Sequence, residues 1–299
     1  MPCAATSSEP PLYKRDADHI RICCSMVNRI KRVSIEARLR GLGGSMKILT
    51  IYAHPNPKSF CHAVLQQFTR GLVDAGHSNE VVDLYAIGFD PVLRDQDVPS
   101  WMDENVPQDI LDRANLKQEL LDSAKGPLQR FLVKRWIGDK DPRAIIRALR
   151  EQRRPKDVLE QQQKVARAEA LVFISPVWFV GFPAILKGWF DRVFTLGFAF
   201  GLSAAGWRGD IAGRIPLLTH EKALIINTTI FNEETYQLGF GDAMKRLMDD
   251  WCLQYPGIKA VEHVYFYAVN GADDETRRNY LDRAYRLGRN FGGFREMAA

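Results

Sequence analysis

The stretch from Ala170 to Phe194 constrains the fold of this chain more than any other. Ala170 to Ser175 is a short, almost continuously apolar run of strand length, which suits a strand covered on both faces, as in a parallel sheet. It runs into Pro176-Val177-Trp178-Phe179-Val180-Gly181-Phe182-Pro183, whose prolines and glycine forbid continuation as strand or helix. Helical spacing then puts Leu186, Trp189, Phe190 and Val193 on the inner face of a helix from Ala184 to Phe194. Open α/β sheets bind ligands at such points, outside the carboxyl ends of their strands. Two readings are open here: a Pro-rich turn capping a core strand, or a wall of flat side chains facing a planar ligand.

The rest of the chain repeats this alternation. Lys47 to Ala53 reads as a first buried strand, and the two prolines of His54-Pro55-Asn56-Pro57 break it. Ser59 is a good N-cap for a helix whose apolar positions are Phe60, Val64, Phe68 and Leu72. The free amides and dipole at that helix start suit a phosphate. Glu80 to Tyr85 reads as the second strand, which completes a crossover unit. Lys222 to Asn227 is the fourth strand and His263 to Val269 the fifth. Asp242 to Gln254 and Glu275 to Phe291 read as helices, and Thr195 to Thr219 as an irregular loop long enough to serve as an active-site cover.

Between the second and third strands lies a charged helical insertion, about 92–165, with helical stretches at Ile110 to Ser123, Leu128 to Trp136 and Ala144 to Arg150. Lys125 to Lys164 holds twelve Lys/Arg against five acids. That is read as a solvated face, with a docking surface for the 2′-phosphate of NADPH or an acidic partner as the functional alternative. Residues 1–45 show no clear period and end in Gly41-Leu42-Gly43-Gly44-Ser45, so they read as a flexible basic arm, separate from a domain over 46–299. Met46 opens the first strand and is read as the native start, with an organelle-targeting or partner-binding arm as the alternative.

Charge and composition exclude several classes. The formal net charge is +5, but residues 1–45 carry eight Lys/Arg against four acids, so the remaining chain is only +1. No folded basic face for nucleic acid is expected. The five cysteines are odd in number and lack a Cys-x-x-Cys pair, which predicts neither a disulfide framework nor a zinc site and favours a reducing cytoplasm. No apolar run approaches the roughly 18 residues of a membrane span. No Gly-x-Gly-x-x-Gly follows the first strand, and Walker loop, Gly-x-Ser-x-Gly elbow and metal-ligand spacing are absent.

Three strand-end loops therefore converge in principle: His54 to Cys61, Pro176 to Phe182 and Thr228 to Tyr236. A planar ring system with a phosphate-bearing chain fits all three. Ile51-Tyr52-Ala53-His54 with Ser59-Phe60, then Pro183-Ala184-Ile185-Leu186-Lys187-Gly188-Trp189-Phe190-Asp191-Arg192-Val193-Phe194, then Thr228-Thr229 and Tyr236, resemble the NAD(P)H:quinone oxidoreductases of the DT-diaphorase type. The resemblance covers roughly Met46 to Phe291. It implies a flavodoxin-like, doubly wound five-stranded parallel sheet of order 2-1-3-4-5, a bound flavin (FAD, with FMN as the alternative), NAD(P)H as co-substrate, a quinone as acceptor, and a homodimer.

Carried over by position, the resemblance implies that His54, Ser59, Phe60 and Cys61 hold the flavin's phosphate and ribityl side. Pro176, Val177, Trp178, Phe179 and Val180 run along its ring system, with Phe179 or Trp178 flooring the substrate cleft. Thr228, Thr229, Ile230 and Phe231 meet its pyrimidine edge, and Tyr236 is the catalytic hydrogen-bond donor. Two positions depart from the pattern. Ile230-Phe231 stands where mammalian members have Gly-Gly, and the His that they place six residues beyond the tyrosine is missing from Tyr236 to Asp242, so the Tyr and His relay of the family is incomplete. The alternative functions are a flavodoxin-like regulatory subunit docking to a transporter and, ranked lower for want of acidity, a one-electron carrier.

Overall fold

The computed structural model describes residues 44–95, 97–98, 103–152 and 154–292. The expected N-terminal arm lies, as far as residue 43, outside the described residues. The unit from Met46 to Phe291 is built on five strands: β1 (Lys47–Tyr52), β2 (Ser78–Asp83), β3 (Ala170–Pro176), β6 (Lys222–Thr228) and β7 (Ala260–Phe266). All neighbours pair in parallel in the order β2-β1-β3-β6-β7. The main-sheet strands thus stand in the expected 2-1-3-4-5 order, and the direction of winding reverses between β1 and β3. In this topology the crevice for a ligand opens at that reversal.

β1, β3 and β6 are buried on both faces because helices cover both. On one side lie α1 (Phe60–Asp74) and the final helix, α8 (Asp274–Arg289). Their backbones nearly touch: a Cβ on Gly71 would stand 2.2 Å from the Tyr285 carbonyl oxygen, and one on Gly288 2.1 Å from that of Phe68. On the other side lie α7 (Ala184–Val193) and a helical run over 233–254. Leu186, Trp189 and Val193 of α7 are fully buried and Phe190 nearly so, as the spacing predicts.

Several boundaries differ from the sequence reading, each for a local reason. β2 ends at Asp83, whose carboxylate accepts the amides of Tyr85 and Ala86 and turns the chain. β7 stops at Phe266 because Ala268 adopts a left-handed φ of 48°. The loop after α7 is not irregular throughout: β4 (Phe200–Leu202) and β5 (Arg214–Pro216) form an antiparallel ribbon. The expected helix over 242–254 is part of a longer run that begins at Glu233 and alternates between α and π turns, with Gly239 at φ 103°.

The insertion comprises α2 (Gln108–Ala114), α3 (Leu116–Asp122), α4 (Pro127–Ile137), α5 (Pro142–Gln152) and α6 (Lys156–Arg167). The helix expected over 110–123 is broken at Asn115, which is left-handed at φ 45°. Val106, Leu111, Leu116, Ile137, Ile145, Ile146 and Leu149 give the insertion its own apolar cluster. It is tied to the sheet layer through Arg192 of α7, whose guanidinium bonds Asp97, Asp157 of α6 and the Asp90 carbonyl. Trp189 Nε1 donates to Gln161, and Gln162 Nε2 to the Val193 carbonyl, which makes a second seam between α6 and α7. No helix among the described residues is long and apolar enough to cross a membrane.

Candidate functional site

The first loop is organised by short polar bonds that set up the start of α1. His54 Nδ1 accepts the Asn56 amide (3.0 Å), and Asn56 Oδ1 accepts the Lys58 amide (2.8 Å). Ser59 is the N-cap, its Oγ accepting the His62 amide (3.1 Å). The amides of Phe60 and Cys61, at the first two helical positions, therefore point out of the helix end, with its positive dipole behind them. Because Nδ1 is an acceptor, the His54 ring is neutral and its Nε2 carries the hydrogen. Burial keeps it so by lowering its pKa below the ordinary imidazole value.

The second loop is a tight hairpin. Trp178 and Gly181 exchange backbone hydrogen bonds of 3.1 and 3.2 Å, and the two residues between them, Phe179 and Val180, both have positive φ, 40° and 61°. That pairing belongs to a type I′ turn, which glycine and asparagine favour and a β-branched valine does not. Phe179 is 100% exposed at the tip, while the Trp178 ring turns back to within 5.7 Å of the His54 ring. The first two loops thus meet across the β1/β3 crevice.

The third loop joins them through the backbone, the Val177 amide donating to the Thr228 carbonyl at 2.9 Å. Thr228 and Thr229 are buried, and Thr229 Oγ1 donates to the Phe231 carbonyl. Ile230 and Phe231, in place of two glycines, stand outward and are largely exposed. With Trp178, Phe179 and Val180 they form an apolar rim around the crevice.

Two expected contacts are placed differently from the sequence reading. The Cys61 side chain is buried and turned toward Thr228, so only its backbone amide is directed out of the helix start; burial pushes its thiol up to about 12. Tyr236 is buried rather than open to a cleft, its ring packed against Phe240, Tyr265 and Tyr267 at 4.9–5.2 Å. Burial raises its pKa, and Thr229 is its hydrogen-bond neighbour, so it stands behind the threonines as a protonated phenol.

Residues not foreseen from the sequence extend the site. Beyond Phe60, a cleft of about 420 Å³ opens between Asn232, Tyr267, Asp273, Thr276 and Tyr280. Tyr280 packs on the Phe60 ring and Arg277 lies over it, 6.0 Å from the centroid. Below the rim, His263 and Tyr265 of β7 and Tyr267 just beyond its end stand in a column, with ring planes 21° and 14° apart. The i, i+2, i+4 spacing of those three aromatics along one extended stretch of sequence was the signal that could have found them.

The family model described as flavodoxin-like fold matches residues 46–287. Among curated relatives, the ribosyldihydronicotinamide dehydrogenase-like protein traD of Penicillium crustosum is 33% identical over 231 residues, 75% of this chain and 74% of its own. NAD(P)H dehydrogenase (quinone) 1 of Cavia porcellus is 27% identical over 239 residues, 79% of this chain and 73% of its own. Among solved structures, an NAD(P)H:quinone oxidoreductase from Methanothermobacter marburgensis superposes with a TM-score of 0.59 at 30% identity, covering 83% of this chain and all of that one. The chain belongs to the flavodoxin-like fold family, among the NAD(P)H:quinone oxidoreductases and their relatives.

Proposed function

We propose that the chain is a flavin-dependent NAD(P)H:quinone oxidoreductase with FAD as its resident cofactor. The observation that carries this reading is the meeting of all three strand-end loops at the winding reversal, through the His54–Trp178 ring contact and the Val177–Thr228 backbone bond. The residues present fit the group. The capped start of α1 offers amides for a phosphate, and the buried His62 Nδ1 nearby lacks a hydrogen-bond partner among the described residues. The cleft near Phe60, lined by Asn232, Glu233, Tyr267, Asp273, Thr276 and Tyr280, gives room for a nucleotide beyond the first phosphate, which supports FAD over FMN.

When bound, the flavin supplies two-electron chemistry between a reduced nicotinamide and a quinone. The chain's part is to hold and polarise. Phe60 and Cys61 amides take the phosphate, and His54 offers its Nε2–H as a neutral donor. Val177 to Val180 form the wall along the ring system and keep water from it. The Thr228 hydroxyl would offer a hydrogen bond where negative charge develops, while Thr229, whose hydroxyl and amide are taken by the Phe231 and Phe266 carbonyls, fixes the loop backbone beside it.

The exposed rim of Trp178, Phe179, Val180, Ile230 and Phe231 is best covered by a second copy, so we read the working form as a homodimer with its sites at the interface. The free thiols of Cys61 and Cys252 agree with a reducing, cytoplasmic setting. The test is release of the bound pigment by heat and its identification by mass. Yellow protein that yields FAD supports the reading, and colourless protein that refuses added flavin overturns it.

A further inference from the structure

A buried polar chain runs beneath the rim and is used by nothing described so far. His263, its side chain 5% exposed, lies on β7 with Nδ1 2.9 Å from Asp249 Oδ1 and Nε2 2.8 Å from Asn227 Oδ1. Asn227 cannot be turned over, because its Nδ2 donates to the Ser175 carbonyl at 3.0 Å and reaches the Ser175 hydroxyl at 3.2 Å. Its Oδ1 therefore faces the imidazole, and Nε2 must be the donor. Asp249 is fully buried and held also by Lys245 Nζ at 3.2 Å, so its Oδ1 is placed to accept from Nδ1 when that nitrogen carries a proton. Burial lowers the ring's pKa below the ordinary imidazole value, against the Asp249 hydrogen bond that raises it, so the ring becomes an imidazolium on the acid side, where both nitrogens meet acceptor oxygens.

The other groups around the ring are few. On its own strand the Tyr265 ring stacks on it at 4.1 Å, with its hydroxyl 3.2 Å from Nδ1. From the helical run come Asp249 and Lys245, with Cys252 beside Asp249; from β6 comes only Asn227.

The far end of this chain gives it a purpose. Ser175 is the residue before Pro176, and Asn227 the residue before Thr228. Those are the two strand ends from which the second and third loops spring. We propose that His263, in its imidazolium form, is a positioning residue for the cofactor rim, holding Asn227, and through it Ser175, so that these two loops keep one spacing. It also backs the stack of Tyr265 and Tyr267 around Tyr236. It thus supplies, from β7, a buried histidine in a chain that carries Asp242 six residues after Tyr236. Loss of the Nε2 proton would set two lone pairs against each other at 2.8 Å and release the clamp.

This inference rests on the flavin reading, and its test separates the two. Flavin affinity is measured by fluorescence titration from roughly pH 5 to 9 in the full chain, its H263Q variant and its H263L variant. Glutamine places an amide donor where Nε2 was but does not titrate. The full chain should lose affinity as the ring deprotonates, H263L should bind about tenfold more weakly throughout, and H263Q should bind tightly with no pH dependence, as expected for one charged hydrogen bond. Ring ¹⁵N shifts of His263 in flavin-free protein should show the doubly protonated form at the acid end. H263L with unchanged affinity and pH profile overturns the inference, and so does H263Q as weak as H263L or a ring that is neutral throughout. If H263L does not fold, H263Q and the ¹⁵N shifts decide. If the full chain takes no flavin, the functional reading fails, while the ¹⁵N shifts still decide the state of the ring.

Discussion

Replacing Val180 with Asn should make the flavin-free protein more stable and its cofactor rim worse. Val180 and Phe179 form the centre of the Trp178–Gly181 hairpin, and both occupy left-handed backbone conformations, at φ 61° and 40°. An L-residue there costs roughly 1–2 kcal/mol, with β-branched side chains the worst placed, whereas Asn bonds locally and tolerates the region. Val180 is 60% exposed, so its side chain loses little packing when replaced. The expected gain is about 1 kcal/mol, or about 2–4 °C in Tm for a domain of this size. Urea and thermal unfolding of the flavin-free protein measure it, with flavin affinity followed in parallel. Affinity should fall, because the removed isopropyl group is part of the wall and its strain is the kind that collects at functional sites. A V180N protein with unchanged or lower Tm would refute the argument, since it would show that the turn is not strained in solution.

Four further outcomes follow from named contacts. Arg192→Met leaves Asp97, whose side chain is 2% exposed, as an uncompensated buried charge, so urea unfolding should show a loss of about 3–5 kcal/mol, partly recovered by adding Asp97→Asn. Ser59→Ala removes the α1 cap and should cost about 1 kcal/mol in the same assay while weakening flavin binding. Gly288→Ala forces a methyl group into the Phe68 carbonyl and should lower the thermal midpoint sharply, whereas alanine at exposed Gly271 should not. His220 is buried, with Nε2 donating to the Val165 carbonyl and Nδ1 unpartnered, and burial lowers its pKa from 6.5. The unfolded chain therefore takes up the proton first, so unfolding free energy should fall as pH drops below 6.5, with a slope that His220→Gln reduces.

What could be read from the sequence was set by local rules. The strand, proline loop and helix over 170–194, the Ser59 cap and the inner face of α7 each depend on neighbours within a few residues, and the structure has them as read. The three loops could be named because each follows a buried strand. Features that depend on distant partners could not. Arg192 finds Asp97 and Asp157 across 95 and 35 residues, and His263 meets Asp249 and Asn227 from two other elements. The hairpin at Phe179–Val180 was hidden for a different reason, because its residues contradict the turn they adopt. Tyr236 is buried by Tyr265 on β7 and Tyr267 just beyond it, some thirty residues later, which none of its neighbours in the sequence announces.

The central claim is that the three loops hold a flavin that alternates between a nicotinamide and a quinone. Anaerobic stopped-flow absorbance of the flavin-loaded protein tests it most directly. Mixing with NADPH or NADH should bleach the flavin in one step, and a second mix with a simple benzoquinone should restore the full colour. Flavin that stays oxidised with both nicotinamides, or that bleaches and is not recoloured by quinone, would contradict the account.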